Sequence, residues 1–212
     1  MSTHNFKLVE TTESLINLQN EIIAFADEIG KEQDHLLEPG LLRQDMLAYL
    51  HLLNNWSQGI GLPSGWVPAS QYWYLSNEST VIGFSSLRHF LTSSLEDFGG
   101  HISYVVRPKY RRQGHGTQLL ALTLGKAKAL RLDNVLLTTD VHNIGSRKII
   151  EYNGGILKEE SLSVITGTMK ARYLIDLNVK NSNRVAGGIS PPAPTTPCVR
   201  VRTGRFTEKT GP

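Results

Sequence analysis

The stretch HISYVVRPKYRRQGHG, residues 101–116, gathers the residue types that hold an anion. Arg111 and Arg112 supply charge. Gly114 and Gly116 let the backbone approach a ligand closely and turn successive N–H groups toward it. Gln113, His115 and Thr117 complete the loop. A helix-like run, 117–130, follows at once and brings the positive end of its dipole to the same point. A strand, 101–106, leads in. Strand, glycine-punctuated loop and helix start together suit a pyrophosphate, although the pattern alone also fits a plain strand-to-helix turn with solvated arginines. Two commoner phosphate loops are excluded. No Lys-Ser/Thr pair follows the second glycine, and Leu119 stands where a dinucleotide loop has its third glycine.

The surrounding elements must position this stretch. Residues 6–9 suit a short first strand. Thr11 to Ser14 offer capping groups before Leu15, Leu18, Ile22, Phe25, Ala26 and Ile29, whose steps of three and four make one helix face, stopped by Gly30. A second helix after Pro39-Gly40 carries Leu42, Met46, Leu50 and Leu53 on one side and ends near Asn54-Asn55. Core packing accounts for both faces. Residues 59–70 read as a loop, 71–75 and 81–87 as a hairpin, and 92–100 as another loop. Residues 134–139, NVLLTT, are apolar and β-rich, as a strand covered on both faces is. A helix over 146–153 stops at Gly154-Gly155. Strands over 156–165 and 170–177 complete a domain spanning 1–178.

Residues 179–212 differ in kind. They are rich in Pro and Gly, lack apolar periodicity and are expected to be a disordered tail. The chain of 212 residues has a formal charge of +3. Six cations and one anion put the tail at +5, which leaves residues 1–178 at −2. The bulk charge is therefore no argument for a nucleic-acid-binding body. No apolar run approaches the ~20 residues of a membrane helix, and the first residues lack a signal-peptide pattern. With one cysteine, Cys198, in the tail, a cytoplasmic protein is expected.

Residues 106–117, VRPKYRRQGHGT, resemble the acyl-CoA-binding motif of the GNAT superfamily of N-acyltransferases, (Arg/Gln)-x-x-Gly-x-(Gly/Ala) after a strand ending in a Val-x-Pro type turn. Asp140, Asn143, Ser146, Ile149-Ile150-Glu151 and Gly154 resemble the family's Asn-x-x-Ala/Ser helix at the expected distance. The order of elements over residues 5–178 agrees, and RHFL, GGHISYVVRP, NGG and ARYLIDL resemble a bacterial branch known as predicted acetyltransferases.

The resemblance implies an α/β (α+β) fold. Its mixed, mostly antiparallel sheet has six to seven strands, helices on both faces and a splay between the fourth and fifth strands. It implies acetyl-CoA as co-substrate, no metal, and transfer of an acetyl or other acyl group to an amine by direct attack in a ternary complex. Backbone groups of Tyr104 and Val106 would pair with the pantetheine amides. Arg111, Arg112 and the N–H groups of 112–117 would hold the pyrophosphate. Asn143, with Ser146, would meet the pantetheine arm. His101 stands where many members carry the carboxylate that serves as base, and a pKa near ~6.5 suits that work. Ile150 occupies the place of the usual acidic tyrosine, so Tyr173 is the alternative acid. Arg88 and His89, at a strand end near the expected substrate mouth, could meet a substrate carboxylate or simply lie at the surface. Partners are then acetyl-CoA and an amine of a small molecule or peptide, with no membrane or nucleic acid, for a monomer or homodimer. Two rivals stand beside this reading: a non-catalytic acyl-CoA-binding regulatory module of the same fold, and nucleic-acid binding through the tail.

Overall fold

Strands buried on both faces set the frame. β2 (Ala69–Leu75) is buried throughout and β3 (Val81–Arg88) along all but its last residue, as expected of strands covered by helices on both sides. They pair antiparallel, with Tyr72 opposite Ser85 and Trp73 opposite Phe84. β1 (Lys7–Glu10) joins the outer side of β2 and β4 (Ile102–Val106) joins β3, giving the order β1-β2-β3-β4. β5 (Asn134–Asp140), β6 (Ile156–Leu162) and β7 (Met169–Asp176) form a second antiparallel sheet in the order β5-β7-β6. The computed structural model describes residues 6–30, 38–76 and 79–178. The tail expected at 179–212, with Cys198, lies outside the described residues.

The sheets part between β4 and β5, the splay expected between the fourth and fifth strands. Every ladder among the described residues is antiparallel. One face of the first sheet is covered by a 3-10 turn (Glu13–Leu18), α1 (Gln19–Ile29), α2 (Pro39–Gln44) and α3 (Met46–Ser57). Their apolar side chains close over Trp73, Phe84 and Val105. Phe25 and Phe84 stand edge-on to Trp73, with centroids 6.0 and 4.8 Å away, a geometry contributing about 0.5–1.5 kcal/mol per pair beyond area burial. α5 (His115–Ala129) covers the other face, and α6 (Ile144–Tyr152) packs beside it.

Two local results differ from the sequence pattern. The helix expected across Leu42 to Leu53 is two helices. Asp45 between them is extended, and its carboxylate accepts from Ala48 N at 2.9 Å, capping α3. The loop expected at 92–100 holds a short helix, α4 (Ser93–Phe98), whose N-cap Thr92 accepts from Leu95 N.

Arg107 ties the end of β4 to the helical layer. Its side chain is 3% exposed and pairs with Glu21 and Glu28 of α1, each at 2.5 Å. The hydrogen bond from Arg107 holds the Glu28 carboxyl below its ordinary pKa, and Glu28 in turn raises that of Arg107. The loop that begins at residue 108 therefore leaves from a fixed point.

Candidate active site: the fork between beta4 and beta5

The fork is closed at one end by backbone. His101 N donates to Leu136 O at 2.7 Å, and Leu136 N donates to His101 Nδ1 at 3.0 Å. One residue thus grips both main-chain groups of Leu136. Gly100, with φ +64°, makes the approach possible. A Cβ there would lie 2.7 Å from Leu136 O and 3.1 Å from Leu137 Cα, and its positive φ is one that side chains rarely adopt.

Beyond this clamp the strands separate around a cavity of about 760 Å³. β4 forms one wall from Ile102 to Val106, β5 the other through Leu137, Thr138 and Thr139, and the starts of α5 and α6 form its mouth. Arg107 N bonds back to Ile82 O on β3. Strand alternation then directs the backbone groups of Tyr104 and Val106 into the gap. Val106 O already receives Arg111 Nε at 2.8 Å, which holds that side chain against the cavity.

The two helices at the mouth start differently. α5 begins after Gly114, whose φ of +86° needs glycine, and no side chain caps it. The first N–H groups of a helix have no intrahelical partner, so here they are available to an anion. Arg112, also at positive φ (62°), lines the cavity beside them. Gly116, which also lines the cavity, has a second reason to be glycine. A Cβ there would meet Ile149 Cδ1 at 2.7 Å, so it lets α5 pack on α6. α6, by contrast, is capped by its own Asn143, whose Oδ1 accepts from Ser146 N at 3.0 Å. That bond uses the carbonyl end of the amide and leaves its NH2 as the donor for a ligand. Ser146 Oγ hydrogen-bonds Tyr104 OH at 3.0 Å across the gap. Burial pushes the Tyr104 hydroxyl up to about 12.

Of the residues singled out in the sequence, Arg88, Tyr104, Val106, Arg111, Arg112, Gly116, Asn143 and Ser146 line this one cavity. The others lie apart from its lining. Gln113 Nε2 donates to Lys109 O, and Thr117 O receives Asn153 Nδ2. The His115 ring packs against Phe6, Tyr74 and Tyr110, and burial lowers its pKa. His89 Nε2 meets Ser70 Oγ at 3.0 Å. Tyr173 is fully buried; its hydroxyl accepts from Arg147 Nε and donates to Glu151. His101 stands at the clamp. Burial lowers its pKa, with a smaller push from Arg88.

Sequence reasoning gave Tyr104 only a backbone role and did not single out Phe98, Ser103 and Thr138, which also line the cavity. Thr138 Oγ1 donates to Phe98 O at 2.6 Å, which seats α4 against β5. The one available signal was the alternation of 102–106, which puts Tyr104 on the same face as Ile102 and Val106.

Solved structures of similar fold include a ribosomal-protein alanine acetyltransferase from Vibrio fischeri, with 14% identity over 84% of this chain and 96% of that one at a TM-score of 0.58. A ribosomal-protein α-N-acetyltransferase in complex with coenzyme A gives 16% identity, coverage of 82% and 95%, and a TM-score of 0.57. A spermidine N-acetyltransferase from Vibrio cholerae gives 12% identity, coverage of 81% and 94%, and a TM-score of 0.53. At these identities the likeness is one of fold. No curated protein matches the chain. The model of the acetyltransferase (GNAT) family matches residues 42–154, from α2 through the end of α6. That match covers more than half of the chain and contains both walls of the fork, and the chain belongs to the GNAT acetyltransferase family.

Proposed function

We propose that this protein transfers an acetyl group from acetyl-CoA to an amine by direct attack in a ternary complex, in the cytoplasm. The observation that carries the reading is the uncapped start of α5 beside a strand edge turned into the cavity. The first supplies N–H donors and a positive dipole end to a pyrophosphate. The second supplies main-chain partners to the amides of a pantetheine arm, in the manner of an added strand. Arg111 and Arg112 add charge, and Asn143 Nδ2 adds a donor from the opposite wall. The bound co-substrate would bring an activated thioester. The chain's task is to hold it, admit a neutral amine and exclude water.

Two residues take new roles in this reading. His101 holds the fork. Its Nδ1 accepts from Leu136, so the neutral ring carries its proton on Nε2 and has no second lone pair to offer as a base. Tyr104 replaces Tyr173 as the hydroxyl near the chemistry. Tyr173 is held between Arg147 and Glu151, whereas Tyr104 lines the cavity and its raised pKa keeps it protonated. Its O–H would donate a hydrogen bond to the departing sulfur.

Among the described residues no helix is long and apolar enough to cross a membrane. Isothermal titration of the full chain with acetyl-CoA, followed by thiol release against a panel of amines, tests the proposal. Saturable binding with acceptor-dependent release is expected. Binding with no release from any amine would favour a regulatory acyl-CoA-binding module, and absence of binding would end the assignment.

A further inference from the structure

The arginines packed into the described structure fall into two groups. Arg107 pairs with Glu21 and Glu28, Arg147 with Glu160, and Arg172 with Asp97 and Glu159. Arg88 pairs with no carboxylate among the described residues. Only its Nη1 is engaged, donating to Gly100 O at 2.9 Å and, more weakly, to Gly99 O at 3.5 Å. Its Nε and Nη2 have no partner there. Arg88 is nevertheless partly buried, lines the fork cavity, and has its pKa lowered by desolvation. A desolvated guanidinium without a counter-charge is costly unless a ligand supplies one. Glu96 is close enough to act on His101 but forms no ion pair with Arg88.

The face of the sheet around Arg88 is polar in a defined pattern. Ser86 lies two residues before Arg88 on β3, so both side chains share a face. Ser86 pairs with Gln71 on β2 and with Ser103 on β4, and directly paired residues point the same way. Gln71 is 2% exposed, and its Oε1 is buried without a hydrogen-bond partner. The row Gln71, Ser86, Ser103 thus crosses the sheet to the cavity wall, with one cation at its corner. Tyr104, Ile102 and Val106 belong to the opposite face of β4, where the co-substrate is proposed to lie.

Building on the acyl-transfer reading above, we propose that the acceptor is an amine that also carries a carboxylate, bound by the free edge of Arg88. The guanidinium fork offers Nε and Nη2 to the two carboxylate oxygens, a bidentate pairing that fixes orientation as well as position. The amine end then lies toward Ser103 on the β4 wall. Free amino acids, ω-amino acids and short peptides with a nearby C-terminus fit this chemistry; polyamines do not.

The test uses the full chain saturated with acetyl-CoA and pairs of amines that differ only in charge. Amino acids are compared with their amides, and ω-amino acids with diamines of equal length. At least one carboxylated member should exceed its partner by roughly 100-fold in kcat/KM, as expected for the loss of one charge-assisted hydrogen-bonded pair. Arg88→Gln should raise KM for that acceptor with the acetyl-CoA Kd unchanged, and Arg88→Lys should fall between, which covers the case where the glutamine variant fails to fold. Equal or better use of neutral or dicationic amines overturns the inference and leaves acetyl transfer standing. So does calorimetry in which no carboxylated amine binds the acetyl-CoA complex. Failure of acetyl-CoA itself to bind removes the acyl-transfer reading, and this inference with it.

Discussion

The two ends of the fork between β4 and β5 are built from opposite resources. At the closed end, His101 and Gly100 engage the backbone of Leu136 and its neighbours, and both hydrogen-bonding groups of Leu136 are matched. At the open end, α5 starts without a side-chain cap, Asn143 keeps its NH2 free, and β4 turns backbone groups into a cavity. The difference teaches where this fold stores stability and where it leaves donors available. Changes at the closed end should be read out in folding. Changes at the open end should be read out in ligand affinity.

The largest expected effect belongs to Gly100. Gly100→Val puts a β-branched side chain at φ +64° with its Cβ against backbone atoms of β5 that cannot swing aside. Strain and overpacking together should cost on the order of 3–4 kcal/mol. Thermal unfolding would show this as a fall of about 10 °C for a domain of this size. A variant that melts within two or three degrees of the parent would mean that the clamp is not a stability element.

At the open end, Gly114→Glu places bulk and negative charge beside the start of α5, where open space surrounds the glycine. Strain at φ +86° should cost only about 1 kcal/mol of stability. Acetyl-CoA affinity should fall by roughly 10- to 100-fold, because phosphate repulsion replaces attraction at a helix N-terminus. Titration calorimetry on the folded variant decides this, and unchanged affinity would remove the pyrophosphate from α5. Asn143 supplies a finer division. Asn143→Asp keeps an oxygen cap for Ser146 N but loses the amide donor, so stability should hold while affinity drops about tenfold. Asn143→Ala should lose about 1 kcal/mol of stability as well.

Much of this contrast was legible in the chain, and the reasons differ residue by residue. Steps of three and four locate the early helices because each must bury one face, and short apolar β-rich runs locate the central strands because helices cover both of theirs. Gly114 announces a close backbone approach, and its φ of +86° is one that glycine adopts at little cost. Gly116 was readable as a cavity-facing glycine, but its contact with α6 was not, since Ile149 is far along the chain. The break at Asp45 was hidden because an unbroken apolar stripe runs through it, and only the cap onto Ala48 reveals it. α4 is too short for any period to show. The partners of Arg107 and His101 are set by tertiary contact alone: Glu21 and Glu28 lie some eighty residues before one, and Leu136 lies 35 residues after the other. Pairings of that kind decide whether a histidine on a strand is a base or a clamp, and local sequence carries no trace of them.

His101 gives the smallest and most discriminating effect. Glutamine can still offer an oxygen to Leu136 N, so His101→Gln should preserve the clamp and keep kcat within about threefold at pH ~8, where a lost general base would cost 10²–10⁴-fold. Stability should respond in acid. Burial lowers the folded-state pKa of His101 below its unfolded value of about 6.5. Between those two values the unfolded chain binds more protons, so stability rises with pH and is lost as pH falls below about 6.5. The glutamine variant should lose part of that slope in urea titrations across this window. His89 and His115, whose pKa values burial also lowers, should retain the rest. A hundredfold loss of turnover with binding and stability intact would return His101 to the chemistry and make the closed end of the fork catalytic.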